Sequence, residues 1–207
     1  MRRALKNFIC VLVLLTLFAC STENATENSK DGVLTPVKQN ERNSQIISSL
    51  GFDTLLMYDL DIKNEDIKII HLWIEHYKNG EKQEDLLKGA TGTSEKMTVA
   101  ASKLDFKIDD STTYSRWTYS IADGTAISTF KSLPIELYKE NLGMGQTWVD
   151  DKIKIEAEKP ITLALIARYD GNGVGIGLED EVIKNTIKDS DEVIIVKAMI
   201  SKKEDYQ

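Results

Sequence analysis

Cysteine, histidine and proline are scarce in this 207-residue chain, which carries two, two and three of them. Both cysteines, Cys10 and Cys20, fall within the first twenty residues. From Ser21 onward there is no thiol for a disulfide, a thiolate nucleophile or a cysteine metal site. The histidines, His71 and His76, stand in "HLWIEH", which lacks the H-E-x-x-H order of a zinc protease. Five residues apart on a strand, they face opposite ways. The apolar run from Phe8 to Phe18 is eleven residues long, whereas a bilayer span needs about 17 to 25. Positive charge is in deficit, with 26 Lys and Arg against 33 Asp and Glu and a formal charge of −7. Nucleic-acid binding depends on cations that neutralise phosphates, so that partner is not expected. There is no phosphate loop and no G-x-S-x-G. "STFK", Ser128 to Lys131, matches S-x-x-K but has no S-D-N or K-T-G companion. Nucleophilic and metal hydrolysis are left without support.

What is present begins with an address. In "MRRALKNFICVLVLLTLFA" three cations precede a short apolar stretch and a small residue, Ala19, closes it. These are the parts of a secretory signal. Leu17-Phe18-Ala19-Cys20 resembles the lipobox of bacterial lipoproteins, with Leu three residues before the cysteine and a small residue directly before it. The resemblance covers about the first twenty residues. It implies cleavage after residue 19, a diacylglyceryl thioether on Cys20, and a protein held by the lipid bilayer on the extracytoplasmic face of a cell membrane. Two acyl chains suffice for stable anchoring where one does not.

Cleavage there removes Arg2, Arg3 and Lys6 and no acid, taking the formal charge from −7 to −10. Residues 20–43 are rich in Ser, Thr, Asn, Glu and Lys without a sustained apolar period. That composition reads as a flexible tether. Twenty or so such residues would hold a domain roughly 25 Å from the headgroups. Residues 44–207 read as one domain, long enough to bury about two-thirds of its unfolded surface.

Most of that domain alternates in twos. Ile67 to Tyr77 is a β-prone run followed by Asn79-Gly80, the strongest short hairpin signal. Both faces of the run are partly apolar, which places it centrally. "LLMYDLDI", "MTVAASKLDFKI", "YSRWTYSI", "TAISTF", "TWVDDKIKIEA", "ITLALIARY", "VGIGL" and "EVIIVKAMI" are further strands, with turns at Asp123-Gly124 and Asp170 to Gly173. Short helices are expected at Pro134 to Asn141 and Glu179 to Lys188. The fold class is mostly β: an antiparallel β-sandwich in a single domain. The "IEHYKNGE" hairpin resembles uncharacterised surface lipoproteins of low-GC Gram-positive bacteria.

The most suggestive candidate site is "DGNGVGIGLEDE", Asp170 to Glu181, which places Asp170, Asn172, Gly175 and Glu181 at positions 1, 3, 6 and 12 of a calcium loop. Val174 occupies position 5, where an oxygen ligand belongs. The alternative is a hairpin in which Gly173, Gly175 and Gly177 leave one strand face bare. The favoured reading is the hairpin, and calcium ligation by Asp170, Asn172 and Glu181 stays open beside it. Carboxylate pairs occur at Asp109-Asp110, Asp150-Asp151 and Glu179 to Glu181. Glycoside hydrolysis uses two acids, but such pairs are mostly solvated loop charges. Trp73, Trp117, Tyr119 and Trp148 could form a sugar-stacking platform, yet Trp117, Tyr119 and Ile121 share a strand face in the manner of a core. The expectation is a membrane-anchored interaction module of the cell envelope with an envelope protein partner, no cofactor and no catalysis. The alternatives are a binder of a small ligand, glycan or calcium, and a carboxylate hydrolase.

Overall fold

A computed structural model describes residues 31–108, 112–136, 142–171 and 173–202. Two antiparallel sheets face each other. The first contains β1 (Gly32–Pro36), β2 (Phe52–Ile62), β6 (Lys96–Lys107), β7 (Thr113–Ala122), β8 (Ile127–Lys131), β9 (Ile135–Glu136) and β11 (Ile153–Ile155). Its order is β11-β1-β2-β6-β7-β8, with β9 beside β7. The second contains β3 (Ile69–Lys78), β4 (Glu81–Lys82), β5 (Leu87–Gly92), β10 (Gly143–Trp148), β12 (Ile161–Tyr169) and β13 (Glu192–Ser201). Its order is β10-β12-β13-β3-β4, with β5 also on β3. The expected mostly-β sandwich is what the chain forms.

The inward rows explain the pairing. Tyr58 and Leu60 of β2, Val99 and Ala101 of β6, and Trp117, Tyr119 and Ile121 of β7 alternate inward from the first sheet. Ile70, Leu72 and Ile74 of β3 and Ile194, Val196, Ala198 and Ile200 of β13 answer from the second. Together they form one apolar cluster. Two buried tyrosines tie the layers: Tyr119 donates toward the carbonyls of Trp73 and Lys197, each 3.2 Å away, and Tyr58 donates to that of Leu163 at 3.2 Å. A side chain at Gly89 of β5 would lie 2.7 Å from the ring of Phe130 on β8. Glycine there lets the two sheets close at that edge.

β3 is central as expected, paired with β13 along its length and with β4 and β5 on its other side. Asn79 and Gly80 both take positive φ, at 49° and 81°, as the tight hairpin requires. The outer face of the second sheet is half covered. There α2 (Asp180–Asp189) lays Ile183 and Ile187 on Leu165, Ala167, Val193 and Ile195, with Val174, Ile176 and Leu178 beside them. Asp180 and Glu181 in its first turn and Lys188 in its last suit the helix dipole.

Four expectations are corrected. Residues 32–36 are not tether: β1 pairs with β2 and β11 and buries Leu34 in the core. The domain therefore starts about a dozen residues earlier than composition suggests, because two strand partners satisfy a short polar segment's backbone. A helix, α1 (Glu41–Ser49), follows, taking in the last three residues of the expected tether and the first six of the expected domain. "VGIGL" forms no strand; its apolar residues pack beneath α2 instead. Finally, the described part of the helix expected from Pro134 contains β9, whose Ile135 and Glu136 pair with Ser115 and Tyr114. Residues 137–141 lie outside the described residues.

Candidate interaction site

The site grows from a strand with one neighbour. β10, "GMGQTW", runs against β12 from Gly143↔Tyr169 to Trp148↔Ala164 and ends the sheet. Val149 N donates to Leu163 O at 2.9 Å, which sets the phase: alternate residues back from Val149 bond to β12. Met144, Gln146 and Trp148 therefore turn N–H and C=O to the open edge. Their side chains share the interior-facing side with Ala164 and Ile166, the residues they pair with or neighbour on β12. Yet Met144 is 54% exposed and Trp148 45%. The reason is across the gap: β1 pairs with β2 only from Tyr58 to Ile62, Val37 N reaches Met57 O, and the chain then leaves for α1. Among the described residues the first sheet's edge approaches this corner only across a cleft.

The opposite side of β10 is close-packed. A Cβ on Gly143 would lie 2.8 Å from the Tyr169 ring, and one on Gly145 would lie 2.9 Å from Ile176. The two glycines thus let Tyr169 and Ile176 seat flat on the strand.

Between the two sheet edges lies a cleft of about 400 Å³, lined among others by Val37, Lys38, Leu55, Met57, Gln146 and Trp148. Tyr58 forms part of its wall, and burial, assisted by the Asp150 carboxylate, pushes its phenol well above the ordinary range. It stays a neutral donor to Leu163 O across the working pH range. The volume is within that of small-ligand pockets. Its lining mixes an indole, a thioether and aliphatic groups with one amine and one carboxylate.

A model of the YgaN domain matches residues 33–200. The chain belongs to the YgaN domain family. No curated protein and no solved structure matches. The YgaN match opens within β1 and closes within β13, so it spans both sheets and supports the earlier domain start.

Within this YgaN domain the other candidates are scattered. Cys20 and Asn172 lie outside the described residues, as do Asp109 and Asp110. Asp170 follows β12, where its N–H donates to Asp191 Oδ2 at 2.8 Å, and Glu181 sits in the first turn of α2. A calcium loop would need the segment between them free to wrap an ion, but Val174 and Ile176 are packed on the second core and Gly175 O accepts from Thr186 Oγ1 at 2.8 Å. Among the described residues no three of His, Cys, Asp and Glu gather as a metal site would require. His71 faces outward, 2.9 Å from Ser201 Oγ, with its pKa lowered mainly by burial. His76 faces inward, 2.8 Å from Glu192.

Ser128 is half-buried and Lys131 exposed on the edge strand β8, on opposite faces. The aromatics form no platform: Trp117 and Tyr119 are core, Trp73 lies on the outer face of β3, and Trp148 stands at the cleft. Sequence reasoning named Trp148 but missed Met144 and Gln146. The signal available was a six-residue strand, Gly143 to Trp148, with no charge and no proline in a chain 29% charged.

Proposed function

We propose that the protein is a lipoprotein anchored through Cys20 on the extracytoplasmic face of the membrane, where its β-sandwich serves the cell envelope as a protein-interaction module without catalysis. The lipobox-like Leu17-Phe18-Ala19-Cys20 supports the anchor. The observation that carries the interaction reading is the open, uncharged edge of β10 with Met144 and Trp148 exposed on it beside a cleft. Exposed strand edges are templates for pairing, and aromatic and methionine side chains are enriched where proteins bind one another.

The test is crosslinking of the tagged full chain in cells, with Trp148→Ala and Cys20→Ala beside it. A partner recovered in near-equal amount should be lost with Trp148→Ala, while Cys20→Ala should release the protein from the membrane fraction. Recovery unchanged by Trp148→Ala would overturn the placement of the contact.

A second reading rests on the same indole. Trp148 beside Gln146 and Asp150 could stack and hydrogen-bond a sugar ring. A rise in melting temperature with cell-wall saccharides, abolished by Trp148→Ala, would favour it.

A further inference from the structure

We propose that the partner at the β10 edge is a second copy of this chain, added antiparallel so that Gln146 stands opposite the partner's Gln146. This rests on the reading of β10 as a contact surface and specifies what meets it.

The first ground is how the other edges are guarded. Edge strands are ordinarily blunted by a charge or a proline. β11 carries Lys154, β8 Lys131, β9 Glu136, β4 Glu81 and Lys82, and β5 Lys88. Among the described edge strands β10 alone carries neither. An edge left open in a chain with a formal charge of −7 is one where a copy of equal charge can approach without a like charge in the seam.

The second ground is that the strand is complementary to itself in one register. Met144, Gln146 and Trp148 are the residues whose backbone groups face the open edge. An antiparallel copy centred on Gln146 pairs Gln146 with the partner's Gln146, Met144 with the partner's Trp148, and Trp148 with the partner's Met144. Each of these is a hydrogen-bonded pair exchanging two bonds. All three side chains lie on the interior-facing side, so a thioether meets an indole on either flank. Between them each Gln amide donates to the other's carbonyl oxygen. The exposed Met144 and Trp148 are thereby both covered, and the second sheet continues from one copy into the next. Such an isologous contact closes on itself, and the edges that remain are the guarded ones.

The register makes the test sharp. Paired residues would have Cα atoms about 5.5 Å apart, within the roughly 4.4 to 6.8 Å that a disulfide spans. Residue 144 and its own copy would be about 14 Å apart, beyond reach. Single cysteines are placed at 146, 144 and 148 in the full-length chain in detergent, expressed with two different tags, and oxidised. Wild type serves as reference for Cys10 and Cys20, and Lys154→Cys on another edge as a collision control.

Gln146→Cys should give a disulfide-linked species carrying both tags. Met144→Cys and Trp148→Cys should each stay single when alone and link when mixed. Gln146→Lys, which sets two ammonium groups face to face, should lower the mixed 144–148 product several-fold. If 146 links no better than 154, or if 144 links to itself as readily as 146 does, the second copy is excluded. A 146-linked species containing a different protein would also exclude it while leaving β10 a contact surface. No product from any β10 position would remove both readings.

Discussion

The interior of the sandwich differs from one end to the other. Where Leu34 and Leu60 meet Ile70 and Ile200 the facing rows are aliphatic, and the buried acid at that end, Asp31, is fully used at the rim, accepting from Asn64 Nδ2 at 2.6 Å and Ala157 N at 2.9 Å. Beyond Tyr119, toward the β6–β7 and β3–β4 turns, the same inward rows continue as Lys103, Asp105 and Ser115 in one sheet and His76 and Glu192 in the other. Lys103 Nζ lies 2.7 Å from Asp105 Oδ2, and Ser115 donates to the other carboxylate oxygen. His76 Nε2 lies 2.8 Å from Glu192 Oε1, both side chains buried. Arg168 Nε stands 3.9 Å from Glu192 Oε2, too far for a hydrogen bond, and among the described residues Trp117 Nε1 likewise has no direct partner. One end is held chiefly by apolar burial. The other is held by charges that must be matched, because a buried ion without its partner is far more costly than one never placed there.

The largest expected effect breaks the charged end. Glu192→Ala strands His76 and Arg168 without their acid and should lower the unfolding free energy by about 4 kcal/mol, read by urea denaturation. Replacing both members, Glu192→Leu with His76→Leu, should restore much of that loss, since apolar groups of similar volume substitute well for a buried pair. A double variant as weak as Glu192→Ala would show that the pair does more than satisfy itself. At the other end Leu60→Ala should cost about 3 kcal/mol through the transfer and cavity terms, with no second replacement that repairs it. The smallest effect tests a charge network outside the interior.

Glu75, on the outer face of β3, is pushed up by burial, but the Trp73 indole N–H together with Lys197 and Lys82 outweighs this and holds its carboxyl below the ordinary range. A depressed carboxylate pKa stabilises above the unfolded value and loses that contribution as pH falls through the folded one. The gap in denaturation midpoint between wild type and Glu75→Gln should be full at pH 7 and shrink as pH drops below about 4.5. A gap independent of pH would remove the charge from the explanation.

The same contrast explains what could be read from residues alone. β3, β7 and β13 announce themselves because Ile70, Leu72, Ile74, Trp117, Tyr119, Ile194 and Val196 recur at the period of a pleat. Asn79-Gly80 names its own turn. β1 does not: "GVLTP" has two aliphatic side chains in a polar stretch, and only pairing with β2 and β11, distant in sequence, makes it a strand. Residues 174–178 alternate like a strand, yet their apolar side chains serve a helix that has to be covered on the outer face. Lys103, His76 and Glu192 look like solvent positions until partners on other strands turn inward with them. The site was legible only in part. Trp148 could be flagged as an aromatic, but that β10 ends a sheet, and that β1 stops short of covering it, are properties of strand order rather than of any local stretch.

β1 has a mechanical meaning. It is clamped between β2 and β11, with Ile155 and Ile62 flanking Gly32, and Asp31 just before it is held as well, its carbonyl accepting from Lys63 N at 2.9 Å and its carboxylate from Ala157 N at 2.9 Å. A pull applied through residues 1–31 along that strand loads its ladders in shear, so the bonds on both sides share the force instead of opening one after another. Peeling β1 would also draw Leu34 out of the core. β1 is thus a latch at the start of the fold, and a load delivered from upstream meets paired backbone on both sides before it reaches the rest of the core.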